Sequence, residues 1–288
     1  MKPWMQFVLI FAGILLLSAW LSPVLYQILP YKFERIFNRI VMIGTLAEIV
    51  FFIRKYPEGW KNWIPKFESK HLPDMWAYFF VGVIVLLSLT VFRFAIGEAR
   101  WSVNPKTYFQ YAMILIKVVG ACFLIGFLEE WFFRGVIFQS FWKKWGWSLP
   151  ASLFCTNLFY SSLHFVGHRK IFIDSTPTFW NGLQLIYTPF LSFADWPVLW
   201  PAAFGLFIFG LVLNDLVLRY RSLLPAIGLH AGCVFYVKLD GLFVDFSSTH
   251  PLIFGSSKLY DGVLGWLCLL LIWGISLKLS QKKGLVRE

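Results

Sequence analysis

The chain has 288 residues, of which 58% are hydrophobic and 20% aromatic, while only 14% are charged. So few charges cannot cover the surface of a soluble domain of this length; the composition excludes one and indicates an all-α, polytopic integral membrane helical bundle. The net charge of +11 does not indicate nucleic acid. The Lys and Arg residues fall between apolar runs, where the anionic leaflet of the lipid bilayer is the partner.

Lys2 precedes an uncharged run from Pro3 to Tyr31. The run is too long for a signal-peptide core and reads as a first membrane helix. A crossing needs about 20 apolar residues. Eight segments qualify, at about 4–27, 38–53, 75–97, 110–141, 148–166, 198–218, 223–239 and 259–279. The second is short and carries Arg39 and Glu48. The fourth is longer than one crossing needs, so it tilts or runs on along the interface. The connections 54–74 and 167–197 are rich in Trp, Pro and charge and read as interfacial loops. A modest Lys/Arg excess on the side of the termini predicts that both are cytoplasmic.

Most polar residues within these segments have structural readings. Arg39, Arg93 and Lys117 are long enough to snorkel to an interface. Asp215 and Arg219 are spaced i,i+4 and predict a local pair. Cys122, Cys155, Cys233 and Cys268 sit in apolar surroundings without a Cys-x-x-Cys and read as small buried hydrophobes.

The fourth segment is different. It reads FLIGFLEEWFFRGVIFQSF and holds Glu129, Glu130 and Arg134. Each carboxylate within a membrane costs roughly 2.5–3.5 kcal/mol on insertion scales, and such residues normally mark an ion path, a proton relay or a catalytic site. Glu130 and Arg134 share a helix face at i,i+4 and predict an ion pair. Glu129 is rotated by about 100° and faces another neighbour. A free, desolvated carboxylate is suited to take a proton from water. His164 in the fifth segment and His230 in the seventh bring the ionisable groups to three separate spans, and the core of a bundle is where such groups converge.

These residues also carry a family resemblance. Glu129-Glu130-Trp131-Phe132-Phe133-Arg134 resembles the E-E-x-x-x-R signature of the CPBP intramembrane proteases, which include the eukaryotic Ras-converting CAAX endopeptidase and the bacterial Abi proteins. Tyr160-Ser161-Ser162-Leu163-His164 is similar to the family's F-x-x-x-H, with Tyr for Phe. The stretch from Ser222 to Gly232, containing His230, is similar to its last signature. The resemblance spans about 115–236. It divides the chain into N-terminal helices of unassigned role (1–107), a CPBP-like catalytic core (108–240) and a C-terminal loop and helix (241–288).

The resemblance implies hydrolysis of a peptide bond in a membrane-embedded or lipid-anchored peptide or protein, without a cofactor. Glu129 and His164 would activate water, Glu130 and Arg134 would hold the site, and His230 would help stabilise the oxyanion. Val234 departs from the pattern, because the last signature is H-x-x-x-N and valine donates nothing. Losing one oxyanion donor typically costs about 10²–10³ in rate. Either Asn157 or Asn214 substitutes, or the enzyme is slow or narrowly selective, or the protein is a non-catalytic scaffold or immunity protein.

A divalent metal such as zinc, held by Glu129, His164 and His230, is the alternative to a metal-free site. His164 and His168 also have i,i+4 metal spacing, but Gly167 and Arg169 end that helix. A proton-coupled transporter would use the same carboxylates, yet no inverted repeat or broken helix pair supports one.

Overall fold

The computed structural model describes residues 3–29, 31–55, 67–102, 105–165, 176–246 and 250–285. They form two compact units, one built from Met1–Asn62 with Phe165–Pro197 and the other from Trp63–His164 with Val198–Glu288. The all-α membrane bundle expected from composition is present. Five helical stretches among the described residues are long and apolar enough to cross a membrane.

The first unit contains α1 (Pro3–Tyr26), α2 (Phe33–Lys55) and α6 (Phe179–Leu191). Helix α6 lies where the sequence suggested only an interfacial connection. Gly182 lets its backbone press against Ala19 of α1, so that face is buried rather than left at an interface. Helix α2 forms as expected and is not among the five spanning candidates.

The second unit contains α3 (Leu72–Ala95), α4 (Tyr108–Glu130), α5 (Leu149–Leu163), most of α7 (Trp196–Tyr220), α8 (Leu224–Asp240), the single turn α9 (Pro251–Phe254) and α10 (Val263–Lys282). Starts are set by local chemistry. Thr107 and Gln110 close a capping box on α4, and Ser148 accepts the Ala151 N–H on α5. Prolines occupy the first turn of α3, α5 and α8, where no helical N–H is needed. Helices α5 and α8, with 15 and 17 residues, are shorter than a full crossing of about 20 residues. Among the described residues five stretches meet the length and apolarity of a crossing, set against the eight expected from the sequence.

Two features were not legible as pattern. A short antiparallel pair, β1 (Ala99–Trp101) with β2 (Val244–Phe246), sets Arg100 opposite Asp245. Helix α4 does not stop at Glu130. It continues through π-helical turns at Trp131–Ile137 and Ser140–Lys144, giving one helical stretch of 37 residues. Widened turns of this kind recur at functional sites.

Helix α8 is placed by its small residues. A Cβ at Gly228 or Gly232 would overlap the backbone of Met75 or Phe79, so α3 and α8 approach to backbone contact along a G-x-x-x-G stripe. On another side Gly126 of α4 faces Ile227 O at 3.2 Å and Ala231 N at 3.3 Å from where its Cβ would stand. The AIGLHAG segment is thereby clamped between two helices, which fixes where His230 points.

Candidate active site

Four elements contribute side chains. Glu129, Glu130 and Arg134 come from α4 and its π-helical extension, His164 from the C-terminal end of α5, and His230 from α8. Asn157 and Asn214 come from α5 and α7.

Glu130 and Arg134 form the expected pair. Arg134 Nη1 donates to Glu130 Oε1 at 3.1 Å, and both side chains are fully buried. Two further contacts make that burial tolerable. Arg134 Nη2 donates to the Gly210 carbonyl at 3.4 Å, and the guanidinium lies 4.4 Å from the centre of the Tyr160 ring. Glu130 has a second partner that i,i+4 spacing does not reveal. His230 Nδ1 lies 2.7 Å from the same Oε1. With Arg134 holding Glu130 as a carboxylate, the imidazole is the donor in that bond.

The other histidine is fixed just as firmly. His164 Nδ1 donates to the Tyr160 carbonyl at 2.8 Å, and the two rings meet edge to face with centroids 4.7 Å apart. Tyr160 is thus packed between Arg134 and His164, which gives the aromatic of the Y-x-x-x-H stretch a physical purpose. Because each imidazole commits Nδ1–H to an acceptor, each turns Nε2 toward the third member of the group.

That member is Glu129. Its Oε2 lies 3.8 Å from His164 Nε2 and 3.9 Å from His230 Nε2, and it accepts no direct hydrogen bond from the described protein groups. Such separations are too long for direct hydrogen bonds and leave Glu129 open to a small ligand such as water. Glu129 and His164 are about 30% exposed at the side chain, whereas Glu130 and Arg134 are at 0%. The two adjacent glutamates have separate environments, as their 100° helical offset predicts.

Glu129, His164 and His230 open into a cavity of about 300 Å³. Its walls are mainly apolar, with Leu86, Ile125, Leu206, Phe209 and Leu269 among them, and Val234 stands beside His230 in the lining. Lys238, Lys258 and Tyr260 also reach it. This is the form of a site for an apolar chain with a few polar groups at one end.

Residues 111–236 match the family model of the type II CAAX prenyl endopeptidases, Rce1-like. The matched segment contains every residue of the group above. No curated protein and no solved structure matches the chain. The apolar helices are those of an integral membrane protein, and its segment 111–236 is similar to a family of membrane endopeptidases.

Some expectations meet a different geometry. Asn157 and Asn214 bond to each other, with Asn214 Nδ2 donating to Asn157 Oδ1 at 2.9 Å, while Asn157 Nδ2 donates to the Leu153 carbonyl at 2.8 Å. Asn157 packs against Gly210, and neither asparagine is among the residues that line the cavity. Arg93 does not snorkel. It is 1% exposed and donates from Nη1 to the Ser256 carbonyl at 3.0 Å. Asp215 and Arg219 do pair, at 2.8 Å. His168 lies outside the described residues.

Glu129, His164 and His230 are the right kinds of ligand for the metal alternative. Zinc ligands at about 2.0 Å in a tetrahedron stand about 3.3 Å apart, closer than the 3.8 and 3.9 Å found here. Among the described residues no group of three His, Cys, Asp or Glu has metal-holding geometry.

Proposed function

We propose that the chain is a glutamate-dependent endopeptidase acting on a membrane-associated or lipid-anchored protein or peptide. The observation that carries this is the convergence of Glu129 Oε2 on His164 Nε2 and His230 Nε2, with both imidazoles locked from behind. A water held between Glu129 and His164 loses its proton to Glu129 as its oxygen adds to the scissile carbonyl carbon. The carbonyl electron pair moves to oxygen, and Glu129 then returns the proton to the departing amine. Glu130 orients His230 and neutralises Arg134. His230 stabilises the oxyanion from Nε2 when it carries a second proton, since Nδ1–H is already committed to Glu130. No cofactor is needed for this sequence of steps.

The apolar cavity suits an aliphatic or prenylated segment beside the cleaved bond, and the substrate class in the matched family's name, a CAAX prenyl protein, is the first to test. The modest Lys/Arg excess on their side supports cytoplasmic termini. The test is cleavage of a quenched peptide ending in a prenylated Cys-aliphatic-aliphatic-X sequence by the protein in lipid vesicles, with Glu129→Gln as control. Loss of cleavage in a folded Glu129→Gln protein supports the reading, and unchanged cleavage refutes it. One observation favours a second reading, a non-catalytic membrane scaffold. Val234 puts an apolar side chain in the cavity where the family pattern has an amide.

A further inference from the structure

Residues 255–262 connect α9 to α10 and lie beyond the segment that matches the family. This loop is held with unusual firmness. Leu259 is a fully buried leucine at φ 67°, in the left-handed region that a branched non-glycine residue rarely adopts. The Trp266 indole donates to the Tyr260 carbonyl at 3.1 Å. Gly205 and Gly265 leave room for that stretch of backbone, since a Cβ at either would overlap the Tyr260 or Leu259 carbonyl. Asp261 Oδ1 accepts the Ser256 N–H at 2.8 Å, and buried Arg93 holds the Ser256 carbonyl.

This scaffolding delivers Tyr260 to the cavity that contains Glu129, His164, His230 and Val234. Its phenol is within electrostatic reach of the Glu129 carboxylate and the Tyr160 phenol. No hydrogen-bond partner engages its hydroxyl among the described residues. The other phenol at the cavity, Tyr160, is 1% exposed and packed against Arg134 and His164. Asn157 and Asn214 are paired with each other elsewhere. Lys238 and Lys258 also line the cavity, each on a longer side chain with more rotatable bonds than a tyrosine.

We infer that the Tyr260 hydroxyl donates a hydrogen bond to the oxyanion formed in the cavity, supplying the neutral donor that Val234 cannot. The inference rests on the endopeptidase reading above. When water adds to the scissile carbonyl and its proton passes to Glu129, the negative charge collects on the former carbonyl oxygen. Tyr260 bonds to that oxygen and keeps its own proton, as expected for a phenol whose ordinary pKa is near 10. Strain at Leu259 then has a reason, because it fixes the donor before substrate arrives and so lowers the reorganisation needed at the transition state.

The test compares wild type, Tyr260→Phe, Val234→Asn, the double variant and Glu129→Gln on the prenylated peptide in vesicles. Tyr260→Phe should lower kcat by about 10²-fold with KM within twofold. Adding Val234→Asn to it should recover at least tenfold. A phosphinic peptide, which carries a tetrahedral anionic centre, should bind the Tyr260→Phe protein at least tenfold more weakly, while a substrate-like peptide amide binds both proteins equally. Wild-type kcat and unchanged phosphinic affinity in Tyr260→Phe would overturn the inference. So would a loss of activity that Val234→Asn does not recover and that accompanies a lower melting temperature. If Tyr260→Phe is unaffected while Glu129→Gln is inactive, only this inference falls. If Glu129→Gln also cleaves normally, the endopeptidase reading falls with it.

Discussion

Glu130 and His230, 100 residues apart in the chain, share a 2.7 Å hydrogen bond through Oε1 and Nδ1. The same oxygen accepts from Arg134 at 3.1 Å. One carboxylate oxygen therefore neutralises a buried guanidinium and sets the orientation and tautomer of an imidazole. Glu130→Gln should damage both functions at once. Breaking a buried ion pair costs about 3–5 kcal/mol, so the variant should melt markedly lower in detergent and lose activity through kcat. Glu129→Gln, on the half-buried neighbour, should melt close to wild type. Thermal melts of the two purified variants check the contrast, and equal stability would show that the glutamates are not divided in this way.

Arg93 offers a test of the loop that carries Tyr260. It touches none of Glu129, His164 or His230 in the described contacts, yet it holds the Ser256 carbonyl and stacks 4.7 Å from the Phe246 ring centre. Arg93→Leu should leave that carbonyl without its donor and loosen residues 255–262. We expect roughly a tenfold fall in kcat with little change in KM, together with faster hydrogen exchange in that loop. Unchanged exchange and kcat would show that the loop holds itself.

The α3–α8 contact predicts a sharp size limit. A Cβ at Gly228 would overlap the Met75 backbone and one at Gly232 the Phe79 backbone. Backbone cannot yield as the end of a side chain does, so Gly228→Val should cost at least the 1–3 kcal/mol typical of overpacking and displace His230. Gly13→Val, where nothing lies within 4 Å of the would-be Cβ, should be tolerated far better. Detergent melting temperatures of the two variants check this.

Chelators separate water activation by carboxylate from metal activation. At 3.8 and 3.9 Å neither imidazole bonds Glu129 Oε2 directly, so the carboxylate is left open to water. Prolonged treatment with EDTA and phenanthroline should leave at least four-fifths of the vesicle activity. Loss reversed by added zinc would contradict the metal-free mechanism.

The sequence made local geometry legible. The i,i+4 rule exposed the Glu130–Arg134 and Asp215–Arg219 pairs, and the helical offset between Glu129 and Glu130 anticipated their different burial. His164 and His230 stood out as lone polar groups in apolar runs. Hidden were the relations that depend on which helices meet. The Glu130–His230 bond, the mutual pairing of Asn157 with Asn214 and the burial of Arg93 all join segments far apart in the chain. The helix at 179–191 was masked by Trp and Pro, residues that suit an interfacial loop equally well. Tyr260 carried no signal, since an ordinary tyrosine in a loop becomes notable only when a left-handed leucine and two glycines are seen to position it.

The central claim is that Glu129 activates the attacking water. The most direct measurement is the cleavage rate of the prenylated quenched peptide in vesicles by wild type and Glu129→Gln, with the melting temperature of each recorded in parallel. The account predicts a fall of at least 10³-fold in rate, since the amide cannot take the proton, with melting within a few degrees of wild type. Cleavage by Glu129→Gln within tenfold of wild type would contradict it.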